Sequence, residues 1–76
     1  MTKVPLVRYM VQGHDTHIQA NGKNYVFAVR RGVSLCWVDE EDVPAILRLY
    51  KLCCGGRRRK LFQNATQGQI DVWSIP

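Results

Sequence analysis

DEEDVPAILRLYKLCCGGRRRK, residues Asp39–Lys60, carries three signals in one continuous segment. Four acids come first, an amphipathic repeat follows, and Cys53-Cys54-Gly55-Gly56 leads into four bases. Val43, Ile46, Leu47 and Tyr50 fall at i, i+3, i+4 and i+7, the spacing that gathers apolar side chains on one face of a helix. Cys53 and Cys54 extend that stripe, and Gly55-Gly56 then end it, as a glycine in a left-handed C-cap does. Two starts are open. Asp39 can cap the helix, with Asp42 at N3 and Val38 stapled against Val43, but Pro44 then loses a backbone bond inside the helix. With Asp42 as the cap, Pro44 falls at the second helical position, where it does no harm.

Upstream of this helix the pattern changes to period two. Residues 4–12 (VPLVRYMVQ) read as a first strand, and Pro5 marks its start as a sheet edge or a free arm. Gly13-His14-Asp15 is a turn. Residues 16–20 (THIQA) alternate, and Asn21-Gly22 is a strong hairpin signal. Residues 23–30 form the return strand, with Tyr25, Phe27 and Val29 on one face. After Arg31-Gly32, residues 33–38 make a further strand with Val33, Leu35 and Trp37 on one side. Downstream, Arg59 to Gln63 read as one short strand around Leu61 and Phe62. Thr66-Gln67-Gly68-Gln69 has capping-box spacing and opens a short C-terminal helix carrying Ile70 and Trp73. The order β-β-β-β-α-β-α predicts one small α+β domain over 1–76. Its mainly antiparallel sheet has about four to five strands, with one central helix after Trp37-Val38 and a short C-terminal one.

Length bounds stability. A chain of 76 residues buries only about 60% of the surface it exposes when unfolded. Chains of this size commonly gain further support from disulfides, metals or partner subunits. Apolar content of 46% and charged content of 22% are those of a folded protein. No apolar run approaches the roughly 18 residues that span a bilayer, so no membrane partner is expected. Met1 to Gln12 is too short for a signal peptide, and three cysteines are read as free thiols in a reducing compartment. The net charge of +5 favours anionic partners, and Arg57, Arg58, Arg59 and Lys60 account for most of it.

Candidate chemistry is sparse. Cys36, Cys53, Cys54 and His17 (or His14) are the residues a Cys3His zinc site would draw on. No CxxC pair exists, however, and adjacent cysteines seldom both reach one tetrahedral metal, so buried thiols and no cofactor are expected. Nucleophilic catalysis needs a thiol, a base and an orienting group, and nothing sets the histidines beside a cysteine. There is no P-loop and no GxGxxG. The acids 39–42 are explained as helix capping, and no enzyme is expected. Arg57, Arg58, Arg59 and Lys60, with Arg48 and Lys51 nearby, can straddle a phosphate backbone, although alternation in a strand starting at Arg59 would split the patch. Alternatively the acids Asp39, Glu40, Glu41 and Asp42 and the bases Arg57 to Lys60 meet head to tail between subunits, anchored by Trp37, Trp73 and Tyr9.

At LCWVDEEDVPAILRLYKLCCGGRRRKLFQNAT the chain resembles small open reading frames among the structural genes of tailed bacteriophages and prophages. The shared elements are Trp37-Val38, the acidic helix start, Cys53-Cys54-Gly55-Gly56 with trailing bases, and Val72-Trp73, spanning residues 35–73. The resemblance implies a non-enzymatic accessory protein of a phage-like virion, assembled in the host cytoplasm and docked on capsid or head-tail subunits in multiple symmetric copies. It transfers no catalytic residue. The alternative is a small basic DNA- or RNA-binding accessory protein that uses Arg57 to Lys60.

Overall fold

Two tight turns set the frame. In the computed structural model, which describes residues 2–9, 13–52 and 55–76, Asn21 and Gly22 have φ of 50° and 79°, and Arg31 and Gly32 have 51° and 76°. Positive φ at both central residues matches a two-residue hairpin to the twist of its flanking strands. The turns join β2 (Thr16–Ala20), β3 (Lys23–Arg30) and β4 (Val33–Asp39) into an antiparallel meander. With β1 (Lys3–Arg8) and β7 (Phe62–Asn64) it forms a five-stranded antiparallel sheet in the order β2-β3-β4-β1-β7. A 3-10 turn (Glu40–Asp42) leads into α1 (Val43–Leu47). The chain then forms a separate two-stranded ribbon, β5 (Tyr50–Leu52) with β6 (Arg58–Lys60), and ends in α2 (Gln67–Ser74). The small α+β fold expected from the sequence is the one formed.

Cross-strand register sorts the side chains. Tyr25, Phe27 and Val29 of β3 share a face with Ser34, Cys36 and Val38 of β4, Val4 and Leu6 of β1, and Phe62 of β7. The main core lies on this face: Leu6, Ala20, Tyr25, Phe27, Val38 and Phe62, closed by Ile46 from α1. The rings of Phe27 and Phe62 are 4.7 Å apart and tilted by 43°. Leu35 and Val7, partners across β4 and β1, point to the opposite face, where α2 lies against β3 and β4. β4 is therefore covered on both sides, and Ser34, Leu35 and Val38 are all buried. Val33, Leu35 and Trp37 do share a side, yet that grouping does not separate inside from outside in a strand with two covered faces.

Three expectations are corrected. β1 is not a free arm: it lies between β4 and β7, although its start, residues 3–5, runs past the end of β7 beside β4. Pro5 is tolerated there because its backbone faces the β7 side just past the end of that strand. Its carbonyl accepts from the Ala65 N–H at 3.0 Å, and the reciprocal bond, for which proline has no proton, is the one omitted. The central helix does not run on to the cysteines: it ends at Leu47, and Tyr50 starts a strand. One and a half turns place Ile46 in the core. Beyond them Leu49 is bound through its N–H to Ile46 O at 3.1 Å and through its carbonyl to the Leu61 N–H at 3.2 Å, which pulls the chain out of helical register. Gly55 and Gly56, with φ of 86° and 75°, turn the ribbon and do not cap a helix. Cys53 and Cys54 lie outside the described residues. Finally, the strand expected over 59–63 is two, Arg58–Lys60 and Phe62–Asn64, bent at Leu61.

The C-terminal helix starts as its sequence prescribes. Thr66 Oγ1 accepts from the Gln69 N–H at 3.2 Å, and Gln69 Oε1 accepts from the Thr66 N–H at 2.9 Å. Trp73 fastens this helix to the sheet: its Nε1–H donates to Ala28 O at 2.8 Å, and the Arg30 guanidinium stacks 4.4 Å from its ring centroid.

Phe27 is fully buried and touches the one ring that secures β7. Phe27→Ala is expected to destabilise by about 3–5 kcal/mol, a large share of what a domain this small possesses, as urea unfolding followed by circular dichroism would measure.

Candidate functional site

The acidic turn is closed by the hairpin opposite it. Neither Asp39 nor Asp42 caps a helix with its side chain. The chain starts α1 after Asp42 with Pro44 in its first turn, so the second of the two starts is the one adopted, but the carboxylate has turned inward. Asp42 is 1% exposed. Its Oδ1 accepts from Asn21 Nδ2 at 2.6 Å, and its Oδ2 accepts from the Tyr25 hydroxyl and faces Lys23 Nζ at 3.2 Å. The Tyr25 oxygen is also 3.2 Å from Asp39 Oδ2. A hydroxyl has one proton, and the nearer Asp42 takes it. Asp39 is held by Lys23 Nζ at 3.1 Å, with Lys3 Nζ at 3.8 Å from its other oxygen. Lys23 also reaches Glu41 Oε1 at 2.6 Å.

Asp39, Glu41 and Asp42 are the one group of three potential metal ligands among the described residues. The Lys23 ammonium occupies the centre of that group, where a cation would sit, so the cluster functions as an internal ion-pair network. Glu40 and Glu41 are left at the surface. With Thr2 and Asp39 they line an open groove of about 520 Å³.

The basic residues have no comparable partners. Arg58, Arg59 and Lys60 form β6, all exposed, with exposed Arg57 just before them. Antiparallel pairing sets Tyr50 opposite Lys60, Lys51 opposite Arg59 and Leu52 opposite Arg58. Arg58 and Lys60 therefore share one face with Tyr50, while Arg59 and Lys51 share the other. Alternation does separate neighbouring bases, as the sequence predicts, but a two-stranded ribbon is open on both faces and the charge encircles it. No acid occurs between Val43 and Ile70. Among the described residues none of Arg57, Arg58, Arg59 and Lys60 forms an ion pair, whereas Lys3 and Lys23 pair with the acids of the turn. Arg48, at the C-cap of α1, is exposed near the root of the ribbon.

The remaining candidates are dispersed. Trp37 is 42% exposed on β4, whereas Trp73 is half-buried and committed to Ala28 and Arg30. Tyr9 is exposed, and its N–H donates to Leu61 O at 2.7 Å at the root of the ribbon. Cys36 is half-buried, and burial pushes its thiol up from the ordinary range. His17 is exposed on β2, and by alternation it points away from the face that carries Cys36. Among the described residues no group of three or more potential metal ligands includes a histidine or a cysteine. Sequence reasoning missed Asn21, Lys23 and Tyr25, the partners of the acids. A signal was present: a hairpin at Asn21-Gly22 sends Lys23 and Tyr25 out on one face beside the turn.

The network fixes the pH response. Hydrogen bonding from Lys23 holds Asp39 below the usual carboxylate range, and hydrogen bonding from Asn21, then Tyr25, does the same for Asp42. Carboxylates lowered in this way stabilise the fold above their unfolded value of about 3.9, and that contribution is lost as pH falls through the folded values. Lys23 is held above its usual range by Glu41, Asp39 and Asp42, and Tyr25 is pushed up to about 12, mainly by burial and then by its bond to Asp42. Those contributions are complete below about pH 10 and disappear as pH rises beyond it. The thermal midpoint should be flat from about pH 5 to 9 and fall below about 4 and above about 10. Asp42→Asn should lower the plateau and flatten the acid limb in the same melting series.

Comparison with family models, with curated proteins and with solved structures yields no match to this chain.

Proposed function

We propose that this chain is a small non-enzymatic binding protein whose basic ribbon, Tyr50 to Lys60, contacts nucleic acid. The observation that carries this reading is the contrast between the two charged regions. Five of the six acids are Asp15 and the four of the turn; Asp39, Glu41 and Asp42 are answered by Lys23, and Asp39 by Lys3 as well. Among the described residues Arg57 to Lys60 form no ion pair, and they stand exposed on the ribbon. Like charges crowded along one strand, as Arg58, Arg59 and Lys60 are on β6, repel one another and lower stability. A polyanion laid along the ribbon converts that repulsion into attraction and releases its own counterions on binding.

A second reading is favoured by the open groove bounded by Glu40 and Glu41 and by exposed Trp37. It is an accessory structural protein of a phage-like virion, docked in multiple copies on capsid or head-tail subunits. The likeness of residues 35–73 to small frames of tailed-phage structural gene clusters supports that setting. There an acid-lined groove takes a basic segment of a neighbouring subunit, and exposed Trp37 on β4 anchors the contact.

One set of variants separates the two. With Arg57, Arg58, Arg59 and Lys60 all changed to Gln, the isolated protein should lose its affinity for a labelled oligonucleotide. The slope of log K against log salt should also become shallower by about 3. If the parent protein shows no oligonucleotide binding at 50 mM salt, and Glu40→Lys with Glu41→Lys abolishes co-sedimentation with particles, the virion reading replaces the first.

A further inference from the structure

Tyr50 is the residue that the fold does not explain. The sequence places it on the helical stripe with Ile46, but it begins β5 and is 46% exposed, outside the core cluster. Its position on the ribbon is well defined. It is the register partner of Lys60, so their Cβ atoms stand about 5 Å apart. Arg58 follows on the same face two residues along β6, about 7 Å further. One ribbon face therefore presents an aromatic ring flanked by two unpaired cations, and Arg59 continues the charge on the reverse face. At the root, backbone bonds tie Tyr9 to Leu61 and Leu61 to Leu49, the residue before Tyr50. A second exposed tyrosine thus lies beside the place where the ribbon leaves the sheet.

Resting on the nucleic-acid reading above, we infer that the ribbon takes single-stranded nucleic acid, with a base stacked on Tyr50 and the flanking phosphates on Lys60 and Arg58. A duplex keeps its base faces inside the stack and offers a tyrosine ring nothing to lie against. A single strand exposes those faces, and stacking on aromatic rings is how sequence-tolerant single-strand binders gain affinity beyond charge. Bases on both faces of a narrow ribbon also suit a flexible strand that can pass around it, whereas a rigid duplex meets only one face. Arg58 and Arg59 add guanidinium planes able to stack on bases in their turn.

The experiment uses the full chain with a fluorescein-labelled 15-nucleotide thymidine oligomer and a duplex of equal length, both read by anisotropy. The single strand should bind at least about tenfold more tightly. Tyr50→Leu should lose about tenfold for the single strand and change duplex binding less than about twofold, while Tyr50→Phe keeps the parent affinity. Arg58→Gln with Lys60→Gln should weaken both ligands and reduce the single-strand salt slope by about 1.4. In the unaltered protein, an oligomer carrying 5-iodouracil should photo-crosslink to Tyr50, a readout that requires no variant to fold. A Tyr50→Leu protein that binds the single strand as the parent does, a duplex bound as tightly as the single strand, or crosslinks confined to other residues would overturn the inference. In each of those cases a salt-sensitive affinity lost in the Arg57 to Lys60 variant still stands as nucleic-acid binding. Absence of any affinity removes both readings.

Discussion

The buried carboxylate of Asp42 is the constraint on which the rest of the molecule depends. It is set at the junction between the central strand and the short helix, and it receives hydrogen bonds from Asn21 and Tyr25 with Lys23 close by. A carboxylate without partners would be costly to bury, so its burial requires that the β2–β3 hairpin lie against the start of α1. This fixes the angle at which α1 lowers Ile46 onto Phe27 and Phe62, and hence where the chain leaves the body as a ribbon. A short sheet and a helix of one and a half turns share one polar fastening, and the apolar core closes around it.

That fastening consumes half of the six acids. Asp39 and Asp42 are directed inward or sideways, Glu41 is bound to Lys23, and Glu40 alone of the four acids has no ion pair among the described residues. The excess of +5 is thus not averaged over the surface. It is concentrated on a ribbon whose described residues lie outside the main core cluster. The polar fastening and the basic run thus fall on different parts of the chain.

The legible and illegible parts of this fold divide along physical lines. Local chemistry was readable: the hairpin at Asn21-Gly22, the turn at Arg31-Gly32, the capping box at Thr66 and the shared face of Tyr25, Phe27 and Val29 all depend on neighbours within a few residues. What depended on distant partners was not. Val43, Ile46, Leu47 and Tyr50 satisfy a helical period, yet Tyr50 is drawn into a strand by residues ten positions away. Gly55-Gly56 signals positive φ correctly, but that geometry serves a helix end and a hairpin equally. Pro5 does mark the start of β1 that runs past the end of β7, but not the ladder with β7 that begins at the next residue. At the candidate site, the basic run was visible as charge. The alternation that seemed to dilute it became harmless once the strand proved to belong to a ribbon open on both faces. The hairpin at Asn21-Gly22 groups Lys23 with Tyr25, but the acids they reach lie 14 to 19 positions away, so helix capping is the reading local chemistry offers for those acids.

The ribbon also has bare margins. Among the described residues neither β5 nor β6 pairs with a further strand, so each presents outward-facing amide and carbonyl groups that a second copy could extend into a continuous sheet. Three cationic side chains in a row along β6 prevent such zippering by mutual repulsion. The residues positioned to attract an anion therefore also act as gatekeepers against self-association. Once a bound anion neutralises them that guard is lifted, and adjacent copies on one strand become free to join edge to edge.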